Sequence, residues 1–131
     1  MKVFILEDDP DRIQWFHERF FKHDCAIIQT CAREYNFNPP YDLILLDHDL
    51  GGRQMDNKHE DSGFEFIKLI KDRIDPRKTV VIIHSYNNVG AKRMYDEVKE
   101  LFRPYIAPFR GKDFNSFIDM VEERCLTSLS T

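Results

Sequence analysis

The sequence predicts an α/β fold: a five-stranded parallel sheet with helices on both faces. Two observations carry the strands. Leu43, Ile44, Leu45 and Leu46 form an unbroken apolar run too short for a typical helix, and Thr79 to Ile83 is β-branched throughout. Continuous runs of this kind mark strands buried on both faces, as in parallel sheets. The third observation is order along the chain. Strand candidates alternate five times with segments of helical spacing, and no repeat, linker or low-complexity tract interrupts them. That alternation is the pattern of a wound parallel sheet, whose right-handed crossovers bring all strand C-termini to one edge.

The elements follow in order. Lys2 to Leu6 is a short apolar strand closed by Glu7, Asp8 and Asp9. Asp9 suits an N-cap and Pro10 a first helical turn, and Ile13, Phe16 and Phe20 then recur at helical spacing with Trp15 and Phe21 beside them. Ala26 to Gln29 is a second strand candidate. Cys31 to Tyr35 can form a short helix, stopped by Asn36-Phe37-Asn38-Pro39-Pro40. The central strand ends in Asp47, His48 and Asp49, followed by Gly51-Gly52. The polar stretch Arg53–Asp61 reads as a solvated loop.

Asp61 or Ser62 can cap a helix whose apolar positions are Phe66, Ile67, Ile70 and Ile74, with Pro76 beyond it. The strand ending at Ile83 runs into His84, Ser85, Tyr86, Asn87 and Asn88. Either asparagine can cap a helix with Ala91, Met94, Val98 and Leu101 on one face. Tyr105 to Ala107 is a fifth short strand. Phe114, Phe117, Ile118 and Val121 define a last helix, with a frayed tail expected from Thr127.

Length and composition bound the function. At 131 residues the chain is expected to be one domain with a real core, and 11 Phe suggest an aromatic one. A net charge of −4 gives no general attraction to nucleic acid or an anionic membrane. Three cysteines without CxxC spacing read as reduced thiols, which fits a cytoplasmic protein. Val3 to Leu6 is too short for a signal sequence, and no segment is long enough to span a bilayer.

The predicted topology gathers Glu7, Asp8, Asp47, His48, Asp49, His84 and Ser85 at one sheet edge, where open parallel sheets bind ligands. Carboxylates on adjacent strand ends repel unless a cation lies between them. A hard divalent ion, Mg²⁺ or Mn²⁺, is the natural solution, with Glu7, Asp8, Asp47 and Asp49 as candidate ligands. Simple capping accounts for Asp8 and Asp9 but not for Asp47 and Asp49. His48 and His84 are candidates for proton transfer near neutral pH. Strand alternation points His48 away from its neighbours, so this reading requires the strand end to turn. Ser85 and Asn87 are candidates to hold phosphate oxygens beside a helix N-terminus.

Over nearly its whole length the chain resembles a response-regulator receiver domain. Glu7-Asp8-Asp9-Pro10 stands where receivers carry their acidic pair. YDLILLD, ending at Asp47, resembles the strand that bears the phosphoacceptor aspartate. Asp61-Ser62-Gly63 resembles the start of the third receiver helix, and Ser85 resembles the Ser/Thr that ends strand four. The resemblance implies a flavodoxin-like sheet of strand order 2-1-3-4-5. At the end of strand five, Ala107-Pro108 replaces the receiver Lys-Pro, so the lysine that pairs with an aspartyl phosphate is missing.

DHDLGG at 47–52 and HSYN at 84–87 together resemble the cyclic-phosphate processing receiver domains. That likeness implies a metal-assisted phosphoesterase acting on a small cyclic phosphate, a nucleotide or an RNA end. His48, His84 and Asp47 would be its catalytic residues. Two alternatives stay open: an Asp47 phosphoacceptor in signalling, and a module that binds a phosphate ligand without turning it over.

Overall fold

In a computed structural model the chain is described over residues 1–54 and 60–130, with side chains at all of these except 51–54 and 128–130. Five strands form the parallel sheet: β1 (Lys2–Leu6), β2 (Asp24–Ile28), β3 (Leu43–Leu46), β6 (Val80–Ile83) and β7 (Tyr105–Ile106). Their spatial order is β2-β1-β3-β6-β7, which is the expected 2-1-3-4-5 when the sheet's own strands are counted in sequence. Every neighbouring pair is parallel.

Side-chain alternation along the strands divides the core in two. Phe4, Leu6, Ile44, Leu46, Val81 and Ile83 face one layer, formed by α2 (Gly63–Ile70) and α3 (Asn88–Val98) through Phe66, Ile67, Ile70, Ala91, Met94 and Val98. Val3, Ile5, Leu43, Leu45 and Ile82 face the other layer. There α1 (Pro10–Arg19) with the turn after it and α4 (Phe114–Ser130) supply Phe16, Phe20, Phe114, Ile118 and Val121. The three central strands read as continuous apolar runs because both of their faces are covered. Each large side chain so buried contributes about 1.5–3 kcal/mol.

The helix starts follow local chemistry. The Asp9 carboxylate accepts from the Asp11 and Arg12 amides at 2.9 and 3.1 Å, and Pro10 occupies the first turn of α1. Ser62 caps α2 by accepting from Glu65 N, and Asn87 caps α3 by accepting from Gly90 N. Asp61, the other candidate for the α2 cap, instead accepts from the Cys31 amide at 2.8 Å. That bond ties the segment just before α2 to the short 3-10 helix Cys31–Asn36.

Several expectations are corrected. Asp49–Gln54 (β4) pairs antiparallel with Glu60–Ser62 (β5), so both ends of the expected polar loop are strand, while residues 55–59 lie outside the described residues. Helix α2 stops at Ile70 and tightens into a 3-10 turn at Lys71–Arg73, so Ile74 is buried from extended backbone rather than from the helix. Leu101 lies beyond the end of α3 and is 50% exposed. Helix α4 extends past Thr127 to Ser130. Among the described residues no helix is long and apolar enough to cross a membrane.

Candidate functional site

The register of the sheet builds the site. Leu6 pairs with Leu46, Leu46 with Ile83, and Ile83 with Ile106. The next residues, Glu7, Asp47, His84 and Ala107, therefore form one row just past the strand ends. Their amides continue the ladder: Asp47 N donates to Leu6 O, His84 N to Leu46 O and Ala107 N to Ile83 O, at 2.9–3.1 Å. Glu7 N is held the same way by Ile28 O at 3.0 Å. Equivalent positions point the same way, so Glu7, Asp47 and His84 share a face. One potential ligand atom from each lies within 4.8 Å of the others. In this row His84, not Ser85, takes the position directly after strand β6; Ser85 is one residue on and buried.

Glu7 is fully buried and fully partnered. Oε1 accepts from His84 Nε2 at 3.0 Å, and Oε2 accepts from the Asp8 and Asp9 amides at 3.1 and 3.2 Å. Burial alone raises its pKa, but the His84 bond and charge, the Asp9 amide and Arg12 outweigh that and hold the carboxyl below its ordinary value. Asp47 is 5% exposed, and its Oδ1 accepts from the His48 amide at 2.9 Å. Burial pushes its pKa up to about 6; His84 opposes the rise and the Glu7 charge adds to it. The Glu7 charge thus adds to the cost of ionising the buried Asp47 carboxyl beside it.

The structure does not bring the two imidazoles to one cleft. His84 is fully buried, with Phe16, Phe109 and Phe114 at ring distances of 5.4–6.3 Å. Its Nε2–H serves Glu7, and Nδ1 has no partner among the described residues. His48 follows Asp47 and so points to the opposite face of the sheet. Its ring lies against α3 at Gly90, where a Cβ would come within 2.5 Å of the imidazole. Nδ1 donates to Asp49 Oδ1 at 2.8 Å.

The DHD turn is also clamped from behind by α2. Gly63 N donates to His48 O at 2.8 Å, and a Cβ on Gly63 would fall 1.9 Å from the Asp47 carbonyl oxygen. Glycine is required at that approach.

A cleft of about 230 Å³ opens over the row, lined by Glu7, Asp8, Asp9, Asp47, Asp49, Arg12, Ser85 and Tyr86. Neither histidine lines it. Asp49 is exposed, and hydrogen bonds from His48 and then Asn87 hold its pKa below the ordinary value. Asn87 is occupied structurally, with Oδ1 accepting from Gly90 N and Nδ2 donating to Asp49 Oδ1 at 3.2 Å. These bonds hold its amide beside Asp49 at the N-terminus of α3. Ser85 Oγ accepts from Asn87 N at 3.0 Å, which leaves its hydroxyl proton as a donor at the cleft wall. Sequence reasoning missed Arg12, which enters this cleft from α1, and no signal in the sequence singled it out.

A larger cleft of about 610 Å³ lies around Met1, Tyr41, Lys78 and Cys125, at the other end of the strands. It gathers no metal-ligating cluster among the described residues.

A five-stranded parallel sheet in this order, with an acidic row beyond the central strands, is the architecture of a receiver. The chain belongs to the Cyclic-phosphate processing Receiver domain family, whose model matches residues 1–100. A crystal structure of a sensor protein from Polaromonas sp. JS666 is similar in fold, with a TM-score of 0.61 at 17% identity over 93% of each chain. No curated protein matches the chain.

Proposed function

We propose that this receiver is a metal-assisted phosphoesterase acting on a small cyclic phosphate of the nucleotide or RNA-end type. The observation that carries the proposal is the convergence of Glu7 and Asp47 in one row under an acidic cleft. The donor set suits a hard divalent ion, Mg²⁺ or Mn²⁺, held by Asp47 and Glu7 with Asp8 at the cleft wall. When bound, such an ion supplies charge neutralisation at the phosphoryl oxygens and lowers the pKa of water.

The remaining work falls to side chains. His84 keeps Glu7 ionised and fixed in place, acting as a positioning residue behind the cleft. Asp49, backed by His48, is the exposed carboxylate placed to accept a hydrogen bond from attacking water and orient it. The Ser85 hydroxyl donates to a phosphate oxygen. Water adds to phosphorus, one ester P–O bond breaks, and the proton ends on the leaving oxygen to give a phosphomonoester.

Because neither imidazole lines the cleft, a second reading is supported: the same cleft binds a cyclic phosphate without turnover. Ala107 in the row, where a lysine would stand, weighs against phosphorylation of Asp47.

An assay of the purified protein with 2′,3′- and 3′,5′-cyclic nucleotides separates these readings. The proposal expects phosphomonoester to form with Mg²⁺ or Mn²⁺ and none to form with chelator. Binding without product would support the second reading, and a gain of one phosphoryl group in intact mass after incubation with a small phosphodonor would support the phosphoacceptor.

A further inference from the structure

Five acidic residues and one arginine, Arg12, line the cleft among the described residues. Arg12 reaches over the row from α1, with one terminal nitrogen 3.5 Å from Glu7 Oε1 and 4.0 Å from Asp47 Oδ2. These are ion-pair distances, longer than the 2.7–2.9 Å or so of a charge-assisted hydrogen bond. What fixes the guanidinium is aromatic. Its central carbon lies 4.7 Å from the Tyr86 ring and 5.0 Å from the Phe109 ring.

The clamp is braced. The Tyr86 hydroxyl donates to the Phe109 carbonyl, and the Phe109 amide donates to His84 O at 2.9 Å. This explains why Tyr86, 61% exposed, is held against the surface rather than free in solvent. Arg12 is thus oriented by two rings, partly exposed at 20%, and short of strong hydrogen bonds to the described residues. Such a fork is prepared for a planar or tetrahedral anion.

We propose that Arg12 is the phosphate anchor of this site, and that it also supplies the positive charge which the row lacks at Ala107. The inference rests on the metal-assisted reading above. Without a divalent ion the guanidinium screens Glu7 and Asp47. Once an ion neutralises those carboxylates, the guanidinium is released to a phosphate oxygen while Tyr86 and Phe109 keep its plane.

Calorimetry on the full chain with Mg²⁺ and inorganic phosphate tests this, with Trp15 fluorescence as a second readout; the ring is the chain's single tryptophan and lies 5.2 Å from Phe109. At saturating Mg²⁺, Arg12→Gln is expected to weaken phosphate binding roughly ten-fold or more. Arg12→Lys should recover only part of the loss, because an ammonium lacks the fork. Mg²⁺ binding measured without phosphate should be unchanged or tighter in Arg12→Gln, since a competing cation has gone. Tyr86→Leu should weaken phosphate but not Mg²⁺.

Phosphate affinity equal to wild type in Arg12→Gln overturns the inference and leaves the metal site standing. Should Arg12→Gln fail to fold, equal affinity in both Arg12→Lys and Tyr86→Leu overturns it. Mg²⁺ binding by the wild type without phosphate binding also overturns it. A wild type that binds no Mg²⁺ defeats the metal-assisted reading itself, and this inference with it.

Discussion

Asp47→Asn is expected to melt at a higher temperature than the wild type in metal-free buffer at neutral pH, while losing divalent-dependent turnover by at least about a hundred-fold. Both effects have one cause. The Asp47 carboxyl is buried beside Glu7, and its pKa rises from 3.8 to about 6. A raised carboxyl pKa means that the folded state resists ionisation. Above about pH 6 both folded and unfolded chains are ionised, and the fold carries the whole cost, on the order of 2–3 kcal/mol. As pH falls from about 7 to about 4 the folded state keeps a proton that the unfolded state has lost, so stability rises.

Glu7 has the opposite sign, because its pKa is lowered. Its contribution is present above its ordinary 4.5 and is lost as pH falls below that. The window between about 4.5 and 7 therefore belongs to Asp47. Asparagine removes the charge and keeps an oxygen for the His48 amide. The variant should gain about 1–3 kcal/mol at pH 7.5, a few degrees in Tm, and the gain should shrink toward pH 4.5. A Tm difference that is constant across this range would show that the strain at Asp47 is not electrostatic. Saturating Mg²⁺ should reverse the order of stability, by raising Tm in the wild type alone.

His84→Ala is expected to destabilise the fold by about 3–5 kcal/mol, a large part of what a domain of this size has. The substitution removes the 3.0 Å partner of a fully buried carboxylate and leaves a hole among Phe16, Phe109 and Phe114. Among the described residues, Glu7 then retains two backbone amides and the longer contact to Arg12. Glu7→Leu should be costly for the mirror-image reason. The double variant Glu7→Leu/His84→Leu should recover much of the loss, since apolar residues replace a buried pair at little net cost. Chemical denaturation of the wild type, Glu7→Leu, His84→Leu and the double variant gives the coupling energy. Simple additivity of the two single costs would mean that the pair is not the unit that matters.

The fold was legible because its central strands carry no ambiguity. Leu43–Leu46 and Val80–Ile83 are buried on both faces, and both face patterns appear in the two halves of the core. The caps were legible for a similar reason: Asp9, Ser62 and Asn87 are side chains that compete for free amides. The β4–β5 hairpin was hidden, because its Gly-rich and polar residues carry neither alternation nor an apolar run.

At the site, the row Glu7, Asp47 and His84 follows from counting one residue past each strand. The same count separates His48 from Asp47, since consecutive residues face opposite ways. The turn that would have brought both rings together is absent. Instead His48 is seated against Gly90, and its reach to the cleft runs through Asp49. Arg12 was missed because nothing in sequence links a helix residue to the rings of Tyr86 and Phe109 far along the chain; only packing does.

The most direct measurement is a crystal of the wild type grown with Mn²⁺ and inorganic phosphate, with data collected to locate manganese by its anomalous signal. A metal peak bonded to the Asp47 carboxylate, with phosphate between it and Arg12, is the predicted result. Manganese bound elsewhere, or a phosphate that avoids this acidic row, would contradict the account.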